Sequence, residues 1–571
     1  MSDAQIQAQQ PLVVHLGEYD AAVRGTLEKA ASANVIKRIW EKDASLWKAD
    51  PAPQKIILNS LGWLTVPQIL LEASAELVTF AEELRGQFNH VMVCGMGGSS
   101  LCPEVFRQTF GRQQGFPELL VLDSTDPDVI AGFARQIDIT RCLFIIASKS
   151  GSTTEPVAFH RFWYHEAEQK IPEPGALFVA ITDPDTLMAR TAAAEKFRRI
   201  FLNPSDIGGR YSALSYFGMV PASLMGLNIQ ELLSRAIRMS SKCGPDVPVA
   251  DNPAALLGAV MAECAIAGRD KLTIVTDQKL SAVGLWIEQL VAESTGKEGK
   301  GIVPVVGEPL GPPSVYGDDR LFVSLSSGAL DSDTRSKLKA LEEAGHPVVY
   351  RNLNGIDDLG AEFFLWEMAT AFAGWRLEIN PFDQPNVQES KDATKALLEK
   401  FEAEGKLDQQ PASAVDGSLK VYSRDQNVNG SVAEVFQQYL AKVKPGDYIA
   451  LLAYVGETPE IDAALQELRL SLRDATGCAT TTGYGPRFLH STGQLHKGGP
   501  DSGVFIQLTA PNKTDFDVPG APYTFSILKQ AQAQGDLEAL LAHGRRAIRV
   551  DLGEDLVHGL TQLRNMINVD D

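Results

Sequence analysis

The spacing of hydrophobic residues changes along the chain. From about residue 17 to 85, apolar positions recur every three or four residues, which predicts an N-terminal segment of helices. From His90 the pattern becomes a series of short, almost continuous apolar runs, each separated from the next by enough chain for a helix. Strands buried on both faces have this pattern, so it predicts a parallel sheet covered by helices. The runs are VMVCGMGG (91–98), LLVLDS (119–124), LFIIAS (143–148) and LFVAIT (177–182).

A second series of runs predicts another doubly wound unit, and a third series predicts a further α/β segment. The second series is LTIVTD (272–277), LFVSLS (321–326) and VVYRNL (348–353), and the third is YIALLAYV (448–455), VFIQLT (504–509) and AIRVDL (547–552). Stretches rich in Pro, Gly and Asp or in polar residues, at 242–253 and near 404–418, separate the units.

These boundaries give an α/β protein with two doubly wound parallel-sheet domains. We expect an N-terminal helical segment at 1–88, the two domains at 89–245 and 246–404, and an extra C-terminal α/β segment at 405–571.

Composition narrows the possible partners. A hydrophobic fraction of 44% with 22% charged residues is ordinary for a packed protein. The formal charge of −20 argues against nucleic-acid or anionic-membrane partners, which favour a concentrated positive surface. The first ten residues lack the basic start and apolar run of a secretory signal, and no run approaches the roughly 18–20 apolar residues of a membrane span. The expected location is the cytoplasm.

Cysteine spacing predicts neither a zinc site nor a disulfide framework. The six cysteines lie far apart, and no two of them form a C-x-x-C pair. We expect reduced thiols in the core.

The loop GMGGSS (95–100) follows the first predicted strand and precedes a predicted helix. Glycines let the backbone approach a ligand closely, and a helix N-terminus favours negative charge, so a phosphate fits there. A tight connection without a ligand is an equally simple interpretation. A dinucleotide site is a third, with Asp123 as the ribose-binding acid, although Ser100 replaces the third glycine of that motif.

A second loop, SKSGSTTEP (148–156), follows another predicted strand. Its hydroxyls and lysine offer many hydrogen-bond donors in a small volume, as a dianionic phosphate monoester requires. The alternative is a Ser/Thr-rich helix cap ending at Pro156. One phosphate site with two walls explains both loops.

The two loops together resemble the sugar-isomerase (SIS) domain, and four further motifs are similar to those of the glucose-6-phosphate isomerase family. The resemblance covers about residues 90–395 and a short segment at His490, and it is closest to bacterial isomerases and to the isomerase half of transaldolase fusions. The four motifs are NPSDIGGRYSALSYFG (203–218), WIEQLVAESTGKEGKGIVP (286–304), INPFDQPNVQESK (379–391) and LHSTGQ (489–494).

The resemblance implies two SIS domains and an aldose–ketose isomerase of glycolysis and gluconeogenesis. It would interconvert glucose 6-phosphate and fructose 6-phosphate through ring opening and a cis-enediolate, with no metal or cofactor. The family habit of building the site across a subunit interface implies a homodimer, whose other partner is the sugar phosphate.

The resemblance also assigns the proton-transfer residues. Glu293 would be the base that moves a proton between C2 and C1. Arg210 would face the developing enediolate oxygen. Lys391 would interact with the ring oxygen or O5 during opening, and Gln384 would orient the sugar. Without the motif, a Glu in this stretch would be assigned to a solvated helix face, like its neighbours Glu288 and Glu298.

His490 matches the family histidine that acts in ring opening, and imidazole suits that task near neutral pH. In the family this histidine precedes the F-D-Q motif, whereas here it follows the motif by about a hundred residues. Either the C-terminal segment delivers the same loop, or His346 or His496 does the work.

For the phosphate, the resemblance places four hydroxyl residues around the ester and two backbone contacts beside them. The hydroxyls are those of Ser99, Ser148, Ser150 and Thr153, and the backbone contacts come from Gly98 and Lys149.

Three other functions stay open. One is an isomerase that also accepts mannose 6-phosphate. Another is a non-catalytic sugar-phosphate sensor, which would have no need of Glu293, Arg210 and Lys391 together. The third is a lyase of transaldolase type, but the strand–helix series does not reach the eight repeats of its barrel.

Overall fold

The structure is a computed structural model that describes residues 12–408, 410–425 and 430–567. The first ten residues, from which the location was predicted, lie outside these ranges. Sixteen strands are present in the described part: β1 (Val13–His15), β2 (His90–Cys94), β3 (Glu118–Leu122), β4 (Cys142–Ala147), β5 (Phe178–Thr182), β6 (Arg199–Leu202), β7 (Lys271–Thr276), β8 (Val303–Val306), β9 (Arg320–Ser326), β10 (Val348–Asn352), β11 (Ala414–Asp416), β12 (Leu419–Tyr422), β13 (Tyr448–Tyr454), β14 (Ala479–Tyr484), β15 (Gly503–Thr509) and β16 (Arg546–Asp551).

Helices connect most of the strands. The described chain contains α1 (Asp20–Ser32), α2 (Val35–Trp40), α3 (Pro51–Leu58), α4 (Val66–Leu84), α5 (Leu101–Phe110), α6 (Pro127–Gln136), α7 (Thr154–Glu168), α8 (Leu187–Ala194), α9 (Tyr216–Leu224), α10 (Ile229–Lys242), α11 (Pro253–Ile266), α12 (Val283–Thr295), α13 (Ser332–Glu343), α14 (Leu359–Arg376), α15 (Val387–Glu404), α16 (Val432–Leu440), α17 (Pro459–Thr476), α18 (Gly493–Gly498), α19 (Phe525–Ala542) and α20 (Leu556–Asn565).

The first sheet is five-stranded and parallel throughout, in the order β3-β2-β4-β5-β6. Its central strand β4 is buried along its whole length, as its sequence CLFIIA predicts. Each parallel step needs a crossover connection, and α5, α6, α7 and α8 supply these.

The second sheet has the order β1-β10-β9-β7-β8. Four of its strands are parallel, and β1, from near the N-terminus, pairs antiparallel with β10 at one edge. The N-terminal segment is therefore helical, as predicted, except for this strand. Helix α1 of this segment packs against α11, which belongs to the second unit.

The C-terminal segment forms a six-stranded mixed sheet in the order β11-β12-β16-β15-β13-β14. The strands β16, β15, β13 and β14 are mutually parallel. At one edge, β12 pairs antiparallel with β16, and β11 pairs antiparallel with β12. The α/β fold with two doubly wound parallel sheets and an extra α/β segment is thus confirmed. The proposed domain boundaries stay a prediction.

Buried polar contacts attach the C-terminal segment to the first sheet. Lys529 on α19 donates to Asp126 at 2.9 Å, and both side chains are almost fully buried. Lys497 on α18 donates to Asp536 on α19 at 2.7 Å. These pairs fix α18 and α19 beside the carboxyl edge of the first sheet, because unpairing a buried charge is costly.

The cysteines lie where the sequence predicts them, since all six are free thiols in buried positions. A separate finding concerns the helices. Within the residues that the structure describes, no helix is long and apolar enough to cross a membrane.

Candidate active site

Two loops meet at the carboxyl edge of the first sheet. The loop 95–100 follows β2, and the loop 148–156 follows β4. The two strands are neighbours and parallel, with Cys94 opposite Ile146, so both loops leave the sheet at the same edge. Ligands of open α/β sheets bind at this edge.

Three hydroxyls converge in the loop after β4. The Ser148 hydroxyl donates to Thr153 Oγ1 at 3.3 Å, and Ser150 Oγ lies 3.3 Å from the same atom. Thr153 is the N-cap of α7, so the hydroxyls surround a helix N-terminus, where backbone N–H groups favour an anion. The arrangement suits a phosphate group.

The Lys149 side chain points away from these hydroxyls. Its ammonium group binds the carboxylate of Asp183 and donates to the carbonyl of Ser205 at 2.9 Å. The backbone carbonyl of Lys149 accepts hydrogen bonds from the Asp183 N–H at 3.2 Å and from the Thr182 hydroxyl at 3.4 Å. Its backbone N–H is therefore the group that Lys149 could offer to a ligand.

The glycines of the loop 95–100 allow close approach of two other segments. A Cβ atom at Gly98 would lie 1.9 Å from the carbonyl oxygen of Gly209, and one at Gly97 would lie 2.7 Å from that of His490. Ser99 is half-buried at the end of the short 3₁₀ helix Gly97–Ser99. The loop therefore packs directly against the segments that carry Arg210 and His490.

The dinucleotide interpretation fails at Asp123. Both oxygens of this buried carboxylate accept hydrogen bonds from Arg487, at 2.8 and 2.9 Å. Because this carboxylate is paired with Arg487 and almost fully buried, it is not exposed to the hydroxyls of a ribose.

Arg210 and Glu293 form a buried ion pair. Arg210 Nη1 lies 3.2 Å from Glu293 Oε1, and the two side chains are 2% and 10% exposed. Arg210 follows Gly208 and Gly209, and Glu293 lies near the C-terminal end of α12. In this geometry the guanidinium can stabilise a negative enediolate oxygen, and the carboxylate can move a proton between the neighbouring carbons.

Arg210 also holds the segment that contains Gln384. Its guanidinium donates to the side-chain oxygen of Gln384 at 3.0 Å and to the carbonyls of Pro381 and Asp383 at 2.8 and 3.0 Å. Its Nε group donates to Ser294 Oγ at 2.7 Å. The orientation of the guanidinium is thus fixed from several sides.

Lys297 binds the same segment as Arg210. It is buried, and its ammonium donates to the carbonyl of Asn380 at 2.7 Å and to Asp383 Oδ1 at 2.8 Å. Burial and the nearby charge of Arg210 lower the pKa of Lys297 to about 8, although Asp383 opposes this effect. Two cations therefore bind the segment 380–384.

His490 lies at the same edge of the first sheet, although it belongs to the C-terminal segment. Its Nε2 is 3.0 Å from Oε1 of Glu155, in the first turn of α7. Burial by itself would raise the pKa of Glu155, but the charge of His490 and the hydrogen bond to it hold this pKa below its usual range, and the charge of Lys391 adds to the effect. Gln532 Nε2 donates to the same Glu155 oxygen at 2.6 Å.

Gln289 connects the two halves of the site. Its side-chain amide donates to Glu293 Oε2 at 3.1 Å and to the carbonyl of His490 at 2.7 Å. Gln289 lies one helical turn before Glu293 on α12, so both side chains share a helix face. The site is continuous from Arg210 through Glu293 and Gln289 to His490.

The other candidate histidines lie elsewhere. His346 packs against Phe322 of the second sheet, with Nδ1 3.2 Å from Arg269. His496 is buried against Phe505, and burial lowers its pKa well below the usual value. Among the described residues, His490 is the histidine that the structure brings beside both phosphate-type loops.

Lys391 is exposed on α15. It is near enough to the site for its charge to help lower the pKa of Glu155. Glu298 is exposed and pairs with Lys48 at 2.7 Å, as the solvated-face interpretation predicts. Glu288, in contrast, is buried, so that interpretation is wrong for it.

Three residues of this cluster were not assigned from the sequence: Glu155, Gln289 and Lys297. Glu155 lies inside the motif SKSGSTTEP, and the other two lie inside the motif that carries Glu293. Position in the sequence could have identified Gln289, a polar residue one helical turn from Glu293. It could also have identified Glu155, a carboxylate directly after the hydroxyls of its loop.

The chemical groups of the site are those of phosphate binding and proton transfer. In the described ranges, no three His, Cys, Asp or Glu side chains are grouped as a metal would require. What the residues offer is an anion-binding loop, an imidazole–carboxylate pair and a carboxylate beside a fixed guanidinium. This set can bind a phosphate monoester and move protons at its far end.

Comparison with known proteins points to one family. The family model for phosphoglucose isomerase matches residues 78–304. The chain is 28% identical over 390 residues to a glucose-6-phosphate isomerase from Parabacteroides distasonis, covering 60% of this chain and 87% of that protein. It is 27% identical over 400 residues to one from Carboxydothermus hydrogenoformans, covering 60% and 85%.

Solved structures support the fold. A hypothetical protein from Thermus thermophilus matches with a TM-score of 0.57 and 22% identity, covering 67% of this chain and 99% of that one. A glucose-6-phosphate isomerase from Chlamydia trachomatis matches with a TM-score of 0.51 and 20% identity, covering 64% and 78%.

Proposed function

We propose that the chain is a member of the phosphoglucose isomerase family and that it interconverts glucose 6-phosphate and fructose 6-phosphate in glycolysis and gluconeogenesis. The observation that carries the proposal is the buried pair of Arg210 and Glu293, 3.2 Å apart, beside a hydroxyl-lined anion loop. A protein that only binds sugar phosphates has no use for a desolvated carboxylate at the far end of its ligand.

The phosphate is held by the loops after β2 and β4. In the proposed complex, the hydroxyls of Ser148, Ser150 and Thr153 and that of Ser99 donate to the ester oxygens, and the backbone at Gly98 and Lys149 completes the contact. Fixing the phosphate positions C1 and C2 at the other side of the site, so remote binding contributes to the chemical step.

Ring opening is assigned to His490. Its imidazolium donates a proton to the ring oxygen as the bond from that oxygen to the anomeric carbon breaks, and the proton of the anomeric hydroxyl passes to water. Glu155, 3.0 Å from Nε2, orients the ring and places a negative charge beside it. Lys391 and Gln384 support the opening sugar, Lys391 near the ring oxygen.

Proton transfer is assigned to Glu293. Its carboxylate removes the proton from C2 of the open-chain aldose, which gives a cis-enediolate, and returns the proton to C1 to form the ketose. A proton also passes from the hydroxyl oxygen on C2 to the oxygen on C1. C1 is thereby reduced and C2 is oxidised within one molecule, so atoms and electrons balance without another reactant. Arg210 stabilises the negative oxygen of the enediolate, because its guanidinium is already oriented before the charge develops.

We also propose that the protein works in the cytoplasm as a homodimer, since the resemblance implies a site completed at a subunit interface. Sedimentation of the purified chain tests the dimer: a mass twice that of one chain supports it, and a monomer with full activity contradicts it.

The reaction itself is tested by nuclear magnetic resonance in heavy water with fructose 6-phosphate as substrate. The proposal predicts that glucose 6-phosphate forms and carries deuterium at C2, because the carboxylate exchanges its proton with solvent. Binding of the sugar phosphate without turnover would contradict the proposal and favour a sensor. Formation of mannose 6-phosphate beside glucose 6-phosphate would identify an isomerase of both epimers.

A further inference from the structure

A cavity of about 470 Å³ lies between α12 and the C-terminal sheet. Its walls come from α12, α17, β14 and the 3₁₀ helix Arg487–His490, and His490 itself is not part of the lining. Leu285, Leu465 and Phe488 supply apolar surface. The volume is in the usual range for sites that bind small molecules.

One carboxyl group in this cavity has no partner. Glu288 lines the cavity and is 8% exposed, and within the described chain its side chain makes no hydrogen bond or ion pair. Burial raises the pKa of Glu288 to about 7, although the charges of Arg469 and Arg487 oppose the increase. A buried polar group without a partner is costly unless a ligand satisfies it.

The two guanidinium groups near Glu288 are already neutralised or hydrogen-bonded. Arg487 pairs with Asp123 and lies 3.0 Å from Glu457. Arg469 donates to the backbone carbonyls of Val306 and β14 at 2.7 to 3.0 Å, and the charge of the buried Glu308 faces it. Neither arginine is therefore a free anion site.

Apart from Thr482, the remaining polar side chains of the lining are carboxylates or use a donor within the protein. The Gln466 amide donates to the carbonyl of Gly307 at 2.6 Å, and the Ser491 hydroxyl donates to that of Phe488 at 3.5 Å.

Glu457 and Asp462 are carboxylates on its wall, and the hydroxyl of Tyr484 donates to Asp462. The buried hydroxyl oxygen of Thr482 has no hydrogen-bond partner among the described residues. Since the free groups of the cavity wall are mainly carboxylates, the cavity favours a ligand that is cationic and donates hydrogen bonds.

We propose that this cavity is a second ligand site, which binds a small organic ammonium compound. The ammonium N–H groups donate to Glu288, and the hydrocarbon part packs against Leu285, Leu465 and Phe488. Because a cation stabilises the charged form of a carboxyl group, Glu288 loses its proton to solvent when the ammonium binds near pH 7.

The test uses n-butylammonium chloride as the probe and n-butanol as its neutral counterpart, with calorimetry at pH 7 in phosphate and in Tris. The difference between the buffers measures the protons released. We expect the ammonium to bind with a dissociation constant on the order of 1 mM and to release up to about half a proton, because a carboxyl group with a pKa of about 7 is half protonated at pH 7. We expect n-butanol to bind at least about tenfold more weakly.

Two variants locate the site. Glu288→Gln keeps the shape of the side chain, and we expect it to abolish the proton release and to weaken ammonium binding by at least about tenfold. Glu293→Gln changes the proposed active site, and we expect it to leave both values unchanged. Three results would overturn the proposal: no binding of the ammonium, equal binding of n-butanol, or binding that is lost in Glu293→Gln and kept in Glu288→Gln.

Discussion

His490 Nε2 lies 3.0 Å from Glu155 Oε1, although the two residues are 335 positions apart in the chain. Glu155 belongs to the first sheet's unit and His490 to the C-terminal segment. The extra segment therefore contributes a side chain to the candidate site, and it is more than an appendage to the two doubly wound units.

This pair gives the first prediction. Glu155→Gln can keep a hydrogen bond to His490 but removes the negative charge beside the proposed acid of ring opening, so kcat for fructose 6-phosphate should fall about 10- to 100-fold. The matched control is Glu168→Gln, which changes an exposed carboxylate on the same helix, 3.0 Å from His165. Equal kcat values in the two variants would show that the Glu155 charge has no part in turnover.

The second prediction concerns the phosphate loop. Ser148→Ala removes a buried hydroxyl from the cluster around Thr153, and kcat/KM should fall by about 10- to 100-fold, the cost of one hydrogen bond to a charged group. Both kcat and KM should change, because the phosphate positions the reacting carbons. Ser152→Ala is the control, since this exposed hydroxyl contacts only Ser150, at 3.3 Å, among the described residues. A change in KM alone would argue that the phosphate does not assist the chemical step.

The strand pattern was the most predictable part of the fold. Runs of buried residues predicted β4, β7 and β13, since such strands are apolar on both faces. The edge strand β14, with the sequence ATTTGY, was missed because its burial is partial and its side chains are polar. Strand β8 was missed because it is only four residues long.

The site was predictable where its parts are local in sequence. Ser148, Ser150 and Thr153 belong to one loop, so their spacing already places them together. The contacts of Glu155 and Gln289 with His490 join different sheets, and no periodicity within one segment reports such packing. Only the matched motif singled out His490.

The third prediction concerns the buried support of the segment 380–384. Lys297→Met leaves Asp383 without its cation and removes a hydrogen bond to Asn380, so the free energy of unfolding should fall by roughly 3–5 kcal/mol. Lys300→Met is the control, because among the described residues the ammonium group of this exposed lysine makes one hydrogen bond, to the carbonyl of Leu377, and its loss should cost less than about 1 kcal/mol. Urea unfolding measures both values, and equal losses would contradict a special role for Lys297.

The fourth prediction follows from Glu288. Its pKa is about 7 in the folded protein and near 4.5 when unfolded, so between these values the folded state holds the extra proton. The stability that this group contributes is fully present below pH 4.5 and is lost as the pH rises through 7. Glu288→Gln removes this dependence, so the variant should gain stability relative to the wild type between about pH 5 and pH 8.

Urea unfolding midpoints of the wild type and of Glu288→Gln, each at about pH 5 and about pH 8, measure the effect. A difference between variant and wild type that is the same at both pH values would show that Glu288 titrates normally in the folded protein.

The central claim is that Glu293 moves the proton of the isomerisation. The most direct measurement is kcat for conversion of fructose 6-phosphate to glucose 6-phosphate by chelator-treated protein, with Glu293→Gln beside Glu298→Gln, an exposed carboxylate five residues later. We predict that kcat falls by about 10²- to 10⁴-fold in Glu293→Gln and stays within about twofold of wild type in Glu298→Gln. Wild-type turnover in Glu293→Gln would contradict the account.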